Sequence, residues 1–150
     1  MTVIKNKEIE FINVVDDSNP ILLLYYNSTV PAGFPSPADD YLGEEIDLNK
    51  LLRPKPSSSF FIRLKGDSMK DANIPDGALL IVDRAVKPKN NSIVLAVVNA
   101  DFTVKRFFQN SSGIRLMPAN EKYKPIPITE GMEFYVWGTV SKIIIDAFDL

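Results

Sequence analysis

Residues Ser58 to Ser68 read Ser-Ser-Phe-Phe-Ile-Arg-Leu-Lys-Gly-Asp-Ser, and the order of residue types in them sets how the rest of the chain is read. Phe60, Phe61, Ile62 and Leu64 form a short apolar run with the length and aromatic content of a strand. Gly66 breaks the run and delivers Asp67-Ser68-Met69 onto a turn. A serine presented at the end of a strand is a candidate nucleophile, but a hydroxyl at neutral pH needs a base beside it. The 150 residues contain no histidine and no cysteine. Ser-His-Asp triads, Cys-His pairs and most zinc sites are therefore excluded together. If Ser68 reacts, its base is a carboxylate or a lysine.

Beyond Ser58 the pattern stays β. Phe60–Leu64, Ala78–Asp83, Ser92–Asn99, Phe102–Gln109, Ile114–Met117 and Glu133–Asp146 are the predicted strands, the last bent or bulged at Gly138. Turn residues separate them at Pro75-Asp76-Gly77, Pro88-Lys89-Asn90-Asn91, Asn99-Ala100-Asp101 and Ser111-Ser112-Gly113. So short a link joins Val98 to Phe102 that their two strands form a hairpin. The expected fold is mainly β, a compact antiparallel domain with an extended N-terminal arm. A chain of this length is one domain with room for a core. Its 17 basic and 19 acidic residues leave a formal charge of −2, with no electrostatic sign of nucleic-acid binding.

Upstream, residues 1–30 set Lys5 and Lys7 against Glu8, Glu10, Asp16 and Asp17. The apolar stripe Ile21–Tyr26 reads either as part of an arm that docks on something larger or as a first strand of the main sheet. Pro31, Pro35 and Pro37 then forbid helix and mark an extended linker, in which Ala32-Gly33 is the least bulky dipeptide. Asp47 is an N-cap for a short helix with Leu48, Leu51 and Leu52, stopped at Arg53-Pro54-Lys55-Pro56. The acidic pairs Asp39-Asp40 and Glu44-Glu45 read as a solvated face. The N-terminus shows no apolar signal core, and no apolar run approaches the roughly 18 residues of a bilayer span. A cytoplasmic protein with no membrane contact is expected.

A lysine answers the question posed by Ser68. Alternation along Phe102-Thr103-Val104-Lys105-Arg106-Phe107-Phe108 puts Thr103, Lys105 and Phe107 on one face and Phe102, Val104, Arg106 and Phe108 on the other. Held in apolar surroundings, Lys105 loses solvation of its charged form, and its neutral amine can accept a serine proton. On pattern alone two readings stand. Ser68 and Lys105 form a dyad, or Ser68 is an ordinary turn serine and Lys105 snorkels to water. Asp67 reads as a turn cap and Met69 as core filling.

Ala32-Gly33-Phe34-Pro35-Ser36-Pro37-Ala38, Gly66-Asp67-Ser68-Met69, Asp76 through Asp83 and Phe102-Thr103-Val104-Lys105 occur in an order that resembles the LexA-like serine peptidases, and among them the UmuD-type subunits of error-prone polymerases. The likeness runs from about Pro31 to near the C-terminus and includes Ile46-Asp47-Leu48-Asn49 and Met117-Pro118-Ala119-Asn120. It implies that Ser68 is the nucleophile, Lys105 the general base and Ala32–Gly33 the self-cleaved bond. Residues 1–32 would then be a removable arm and 33–150 the processed core, with no cofactor and no metal. The implied partners are a second copy in a homodimer, the RecA filament on single-stranded DNA as stimulus, and a Y-family polymerase subunit of the UmuC type, with the sliding clamp beyond it. Sequence-specific DNA binding is not implied. Alanine replaces the more usual cysteine before the scissile glycine, and the arm resembles the family poorly. A non-cleaving β-domain adaptor and a truncated LexA-type repressor are the competing readings, the second disfavoured because 30 acidic-leaning residues do not supply a helix-turn-helix.

Overall fold

Strand-forming residues and turn residues alternate along the chain from Ser59 onward as the sequence leads one to expect. The structure, a computed structural model, describes residues 8–12, 22–26, 43–53, 55 and 57–149. In chain order the strands are β1 (Ile9–Ile12), β2 (Leu22–Tyr26), β3 (Gly43–Asp47), β4 (Ser59–Leu64), β5 (Leu79–Asp83), β6 (Ile93–Val98), β7 (Asp101–Asn110), β8 (Gly113–Met117), β9 (Ile126–Pro127) and β10 (Phe134–Ile144). A short helix, α1 (Leu48–Leu52), follows β3. The protein is mainly β, and among the described residues all strand pairs are antiparallel. Among the described residues no helix is long and apolar enough to cross a membrane.

The chain divides into two units, residues 1–14 with 55–150 and residues 15–54. In the smaller, β2 pairs with β3 from Leu22 opposite Asp47 to Tyr26 opposite Gly43. The apolar stripe near residue 22 is thus a strand, but of a separate two-stranded sheet. Asp47 caps α1 as its position suggests, its side chain accepting the Asn49 N–H at 3.0 Å. Glu45 is exposed. The Pro-rich linker, Ala32, Gly33, Asp39 and Asp40 lie outside the described residues.

The larger unit holds an eight-stranded sheet in the order β1-β4-β5-β10-β6-β7-β8-β9. Two strands of this sheet were not announced by the sequence, the two-residue β9 and β1, and β1 adds to the outer edge of β4 with Ile9 opposite Leu64 and Ile12 opposite Phe61. In a flat sheet β1 and β7, five strand spacings apart, would be separated by about 24 Å. Instead the Phe11 and Phe102 rings meet edge to face with centroids 5.1 Å apart. The sheet is therefore curled, and its two halves share a core.

Curling of this kind is produced by bulges. Strand β10, in the middle of the sheet, breaks register between Val136 and Gly138 against β6 and between Val140 and Lys142 against β5. Gly138 is needed at the first break, because a Cβ there would meet Val82 Cγ1 at 2.6 Å. The hairpin between β6 and β7 turns on Asn99 and Ala100, both with positive φ, as a two-residue turn matched to strand twist requires. Leu95, Val97, Phe102 and Val104 point into one buried cluster with Ile9, Ile62, Leu64 and Met69. Val94, Ala96, Phe107 and Leu116 form a second on the opposite face. The central part of β7 is consequently buried on both faces, and Lys105 lies within it.

Candidate active site

The turn that carries Ser68 begins where β4 ends. Gly66 takes a positive φ of 101° and donates its N–H to Asp76 Oδ1 at 2.7 Å. Met69 is fully buried in the first core cluster, as its apolar character suggests, and a 3₁₀ turn (Lys70–Ala72) follows. The connection between β8 and β9 clamps this loop from the other side. Ala119 N–H donates to the Ser68 carbonyl, and Asp71 N–H donates to the Ala119 carbonyl, both at 2.8 Å. Asn120, itself buried, donates from Nδ2 to the Asp67 carbonyl at 2.9 Å and accepts the Lys122 N–H on Oδ1 at 3.0 Å.

Asp67 cross-links its turn to the β8–β9 connection. Its Oδ1 accepts the Tyr123 hydroxyl at 2.6 Å. That bond holds the Asp67 carboxyl below the usual aspartate range and pushes the Tyr123 phenol up. The outcome of all these contacts is a serine hydroxyl fixed in place and largely shielded, Ser68 being 6% exposed.

Lys105 reaches the same point from β7. The register sets it opposite Val94, with Thr103 opposite Ala96 and Phe107 opposite Leu116, so its stem shares the face of the second cluster. Its Nζ lies 3.0 Å from Ser68 Oγ, 2.6 Å from Thr103 Oγ1 and 3.1 Å from the Val104 carbonyl. The structure thus brings together Ser68 and Lys105, which are 37 residues apart in sequence. A fourth neighbour, Glu8 Oε1 just before β1, stands 3.6 Å from Nζ.

Burial removes water from the ammonium and lowers the Lys105 pKa below the ordinary lysine value, while the Glu8 carboxylate pulls it back up. Charged, Nζ donates to Ser68. Neutral, it offers a lone pair to the Ser68 proton at hydrogen-bond distance, the geometry a general base requires.

Glu8, Asn120 and Tyr123 are the site residues that the sequence reading left without a role. Asn120 lies in the Met117-Pro118-Ala119-Asn120 stretch, where a proline and an asparagine mark a fixed turn but name no partner. Glu8 precedes the apolar alternation of Ile9 and Phe11, which is the one local trace of β1.

Residues 24–141 match the family model described as Peptidase S24-like. Protein SamA of Salmonella typhimurium is 42% identical over 79% of this chain and 82% of its own length. Protein ImpA of Escherichia coli is 44% identical over 69% of this chain, which spans 64% of that relative. Protein MucA of Escherichia coli is 37% identical over 81% of this chain and 84% of its own length.

Proposed function

The chain belongs to the S24-like peptidases, and from that membership and the site's geometry we propose that it is a serine–lysine peptidase that cleaves itself between Ala32 and Gly33. The observation that carries this reading is the 3.0 Å approach of Lys105 Nζ to Ser68 Oγ inside a buried site. With neither histidine nor cysteine in the chain, a desolvated lysine is the base chemically suited to that hydroxyl.

Ser68 Oγ attacks the Ala32 carbonyl carbon as its proton passes to Lys105 Nζ. The oxyanion that forms is stabilised by backbone N–H groups of the turn, that of Ser68 among them. The C–N bond to Gly33 then breaks, and Nζ returns the proton to the departing Gly33 amine. An Ala32 ester on Ser68 remains. Water attacks it with Lys105 again taking the proton, which frees residues 1–32 and regenerates the hydroxyl. Small residues on both sides of the bond suit close backbone approach to a narrow site. Arm and site belong to one chain, so their effective concentration is high.

The processed core, residues 33–150, then acts as a homodimeric accessory subunit of an error-prone translesion polymerase in the SOS response, with the RecA filament on single-stranded DNA as the stimulus for cleavage. This part rests on the resemblance of the motifs to the UmuD-type subunits.

Intact mass before and after incubation with RecA, single-stranded DNA and nucleotide tests the reading. A new species of residues 33–150, absent from Ser68→Ala, is expected. An unchanged mass in folded wild-type protein would reject it in favour of a non-cleaving adaptor.

A further inference from the structure

Lys105 Nζ is approached from three elements. Its own strand supplies the Thr103 hydroxyl and the Val104 carbonyl, the turn after β4 supplies the Ser68 hydroxyl, and the segment opening β1 supplies the Glu8 carboxylate. Asp67, beside Ser68, is turned to Tyr123 instead. Among these neighbours Glu8 is the charged group, and its place is set by strand register. Because β1 runs antiparallel to β4, its N-terminal end meets the C-terminal end of β4, where the chain turns into Ser68. Lys65 N–H donates to the Glu8 carbonyl, extending the ladder one residue past Ile9, and Ile9 is buried in the core.

We propose that Glu8 restrains self-cleavage: while β1 is paired on β4, its carboxylate keeps Lys105 in the ammonium form, and the reaction proceeds when the Glu8 end of the strand lifts away. This deepens the function proposed above and rests on Lys105 acting as the base. A carboxylate beside an ammonium favours the charged form, and a charged lysine cannot accept the Ser68 proton. The same carboxylate strengthens the neutral base, but Brønsted dependence returns only part of what is lost in the deprotonated fraction. Below the lysine's pKa the net result is a slower reaction. Glu8 is a positioning residue here, acting on the protonation of Lys105 and not on the scissile bond. It also lies in the segment, residues 1–32, that the proposed cleavage discards.

Glu8→Gln keeps the shape of the side chain and removes its charge. In the full chain, spontaneous cleavage followed by intact mass from neutral to alkaline pH should be about three- to tenfold faster near neutrality, with the whole profile displaced to lower pH. Slower cleavage at every pH with an unmoved profile would overturn the proposal and make Glu8 a support of the base. A second measurement does not depend on cleavage. The Lys105 side-chain resonances, titrated by NMR in Ser68→Ala and in Ser68→Ala with Glu8→Gln, should give a lower midpoint in the double variant. Equal midpoints would overturn the restraint. If neither wild type nor Glu8→Gln is cleaved at any pH, the peptidase reading fails, and this titration still decides whether Glu8 controls the lysine.

Discussion

Two segments converge on Lys105 Nζ, and they are held by opposite means. The turn from Asp67 to Asp71 is locked to the β8–β9 connection by four hydrogen bonds, through Ser68, Asp71, Asn120 and Tyr123, with Met69 sunk in the core beneath it. Strand β1 is four residues long, pairs among the described residues with β4 alone, and leaves Phe11 40% exposed. A hydroxyl that must attack a carbonyl needs its position settled before substrate arrives. A carboxylate that holds the base charged is useful only where it can leave, and a short edge strand is among the least costly elements to release.

Replacing the residue on which both segments act has the largest effect. Lys105→Met should abolish self-cleavage. Its stability should also lose a pH dependence that the lysine confers. Burial holds the folded-state pKa of Lys105 below its unfolded value. Between those two values the unfolded chain binds the extra proton, so the stability contributed through Lys105 rises with pH across that window. Urea unfolding of Ser68→Ala with and without Lys105→Met should show the gap moving in favour of the lysine as pH climbs toward the ordinary lysine range. A gap independent of pH would mean that the folded protein does not perturb this lysine.

Next in size is damage to the clamp. Asn120→Ala removes a buried side chain that both donates and accepts, a loss of about 1–3 kcal/mol. Cleavage should slow at every pH with its profile unmoved, because Ser68 loses position while Lys105 keeps its surroundings. The smallest effect, and the one that separates the two segments, comes from Phe11→Ala. Its ring packs on Phe60 and Phe102 with centroids 6.0 and 5.1 Å away but is partly open to water, so a cost of about 1–2 kcal/mol is expected. Here cleavage near neutral pH should become faster by about two- to fivefold, as β1 spends more time off β4. Similar losses of stability with opposite changes in rate would confirm the contrast. A slowing in Phe11→Ala would break it.

How far the sequence foretold this arrangement follows the range of the interactions. The strands from Phe60 onward were legible, the two-residue β9 excepted, because alternation and turn chemistry are local, and so was the bulge at Gly138, a glycine inside an otherwise continuous strand. Asp47 was legible as a cap, and Lys105 as a lysine set between Thr103 and Phe107 on a strand face. Its approach to Ser68 depends on the curl of the sheet, and the resemblance supplied that pairing where periodicity could not. Strand β1 was not legible as a partner of β4. Ile9–Ile12 is short and contains a glutamate, and it is a strand because the edge of β4 accepts it. Glu8 acquires meaning only through that register, and Asn120 and Tyr123 only through the turn they hold.

The aromatic chain running inward from β1 has an optical consequence. Phe11 meets Phe102, and Phe102 meets Trp137 edge to face at 5.7 Å, with the Arg84 guanidinium 4.7 Å over the indole. Trp137 is the sole tryptophan of the 150 residues. Its fluorescence therefore comes from one place, one ring removed from the strand that carries Glu8. When β1 lifts, Phe102 gains water on the side that Phe11 covered, and the polarity around the indole changes with it. The molecule thus contains an unlabelled emitter whose colour and intensity are expected to follow the seating of β1, readable in real time and before any peptide bond is broken.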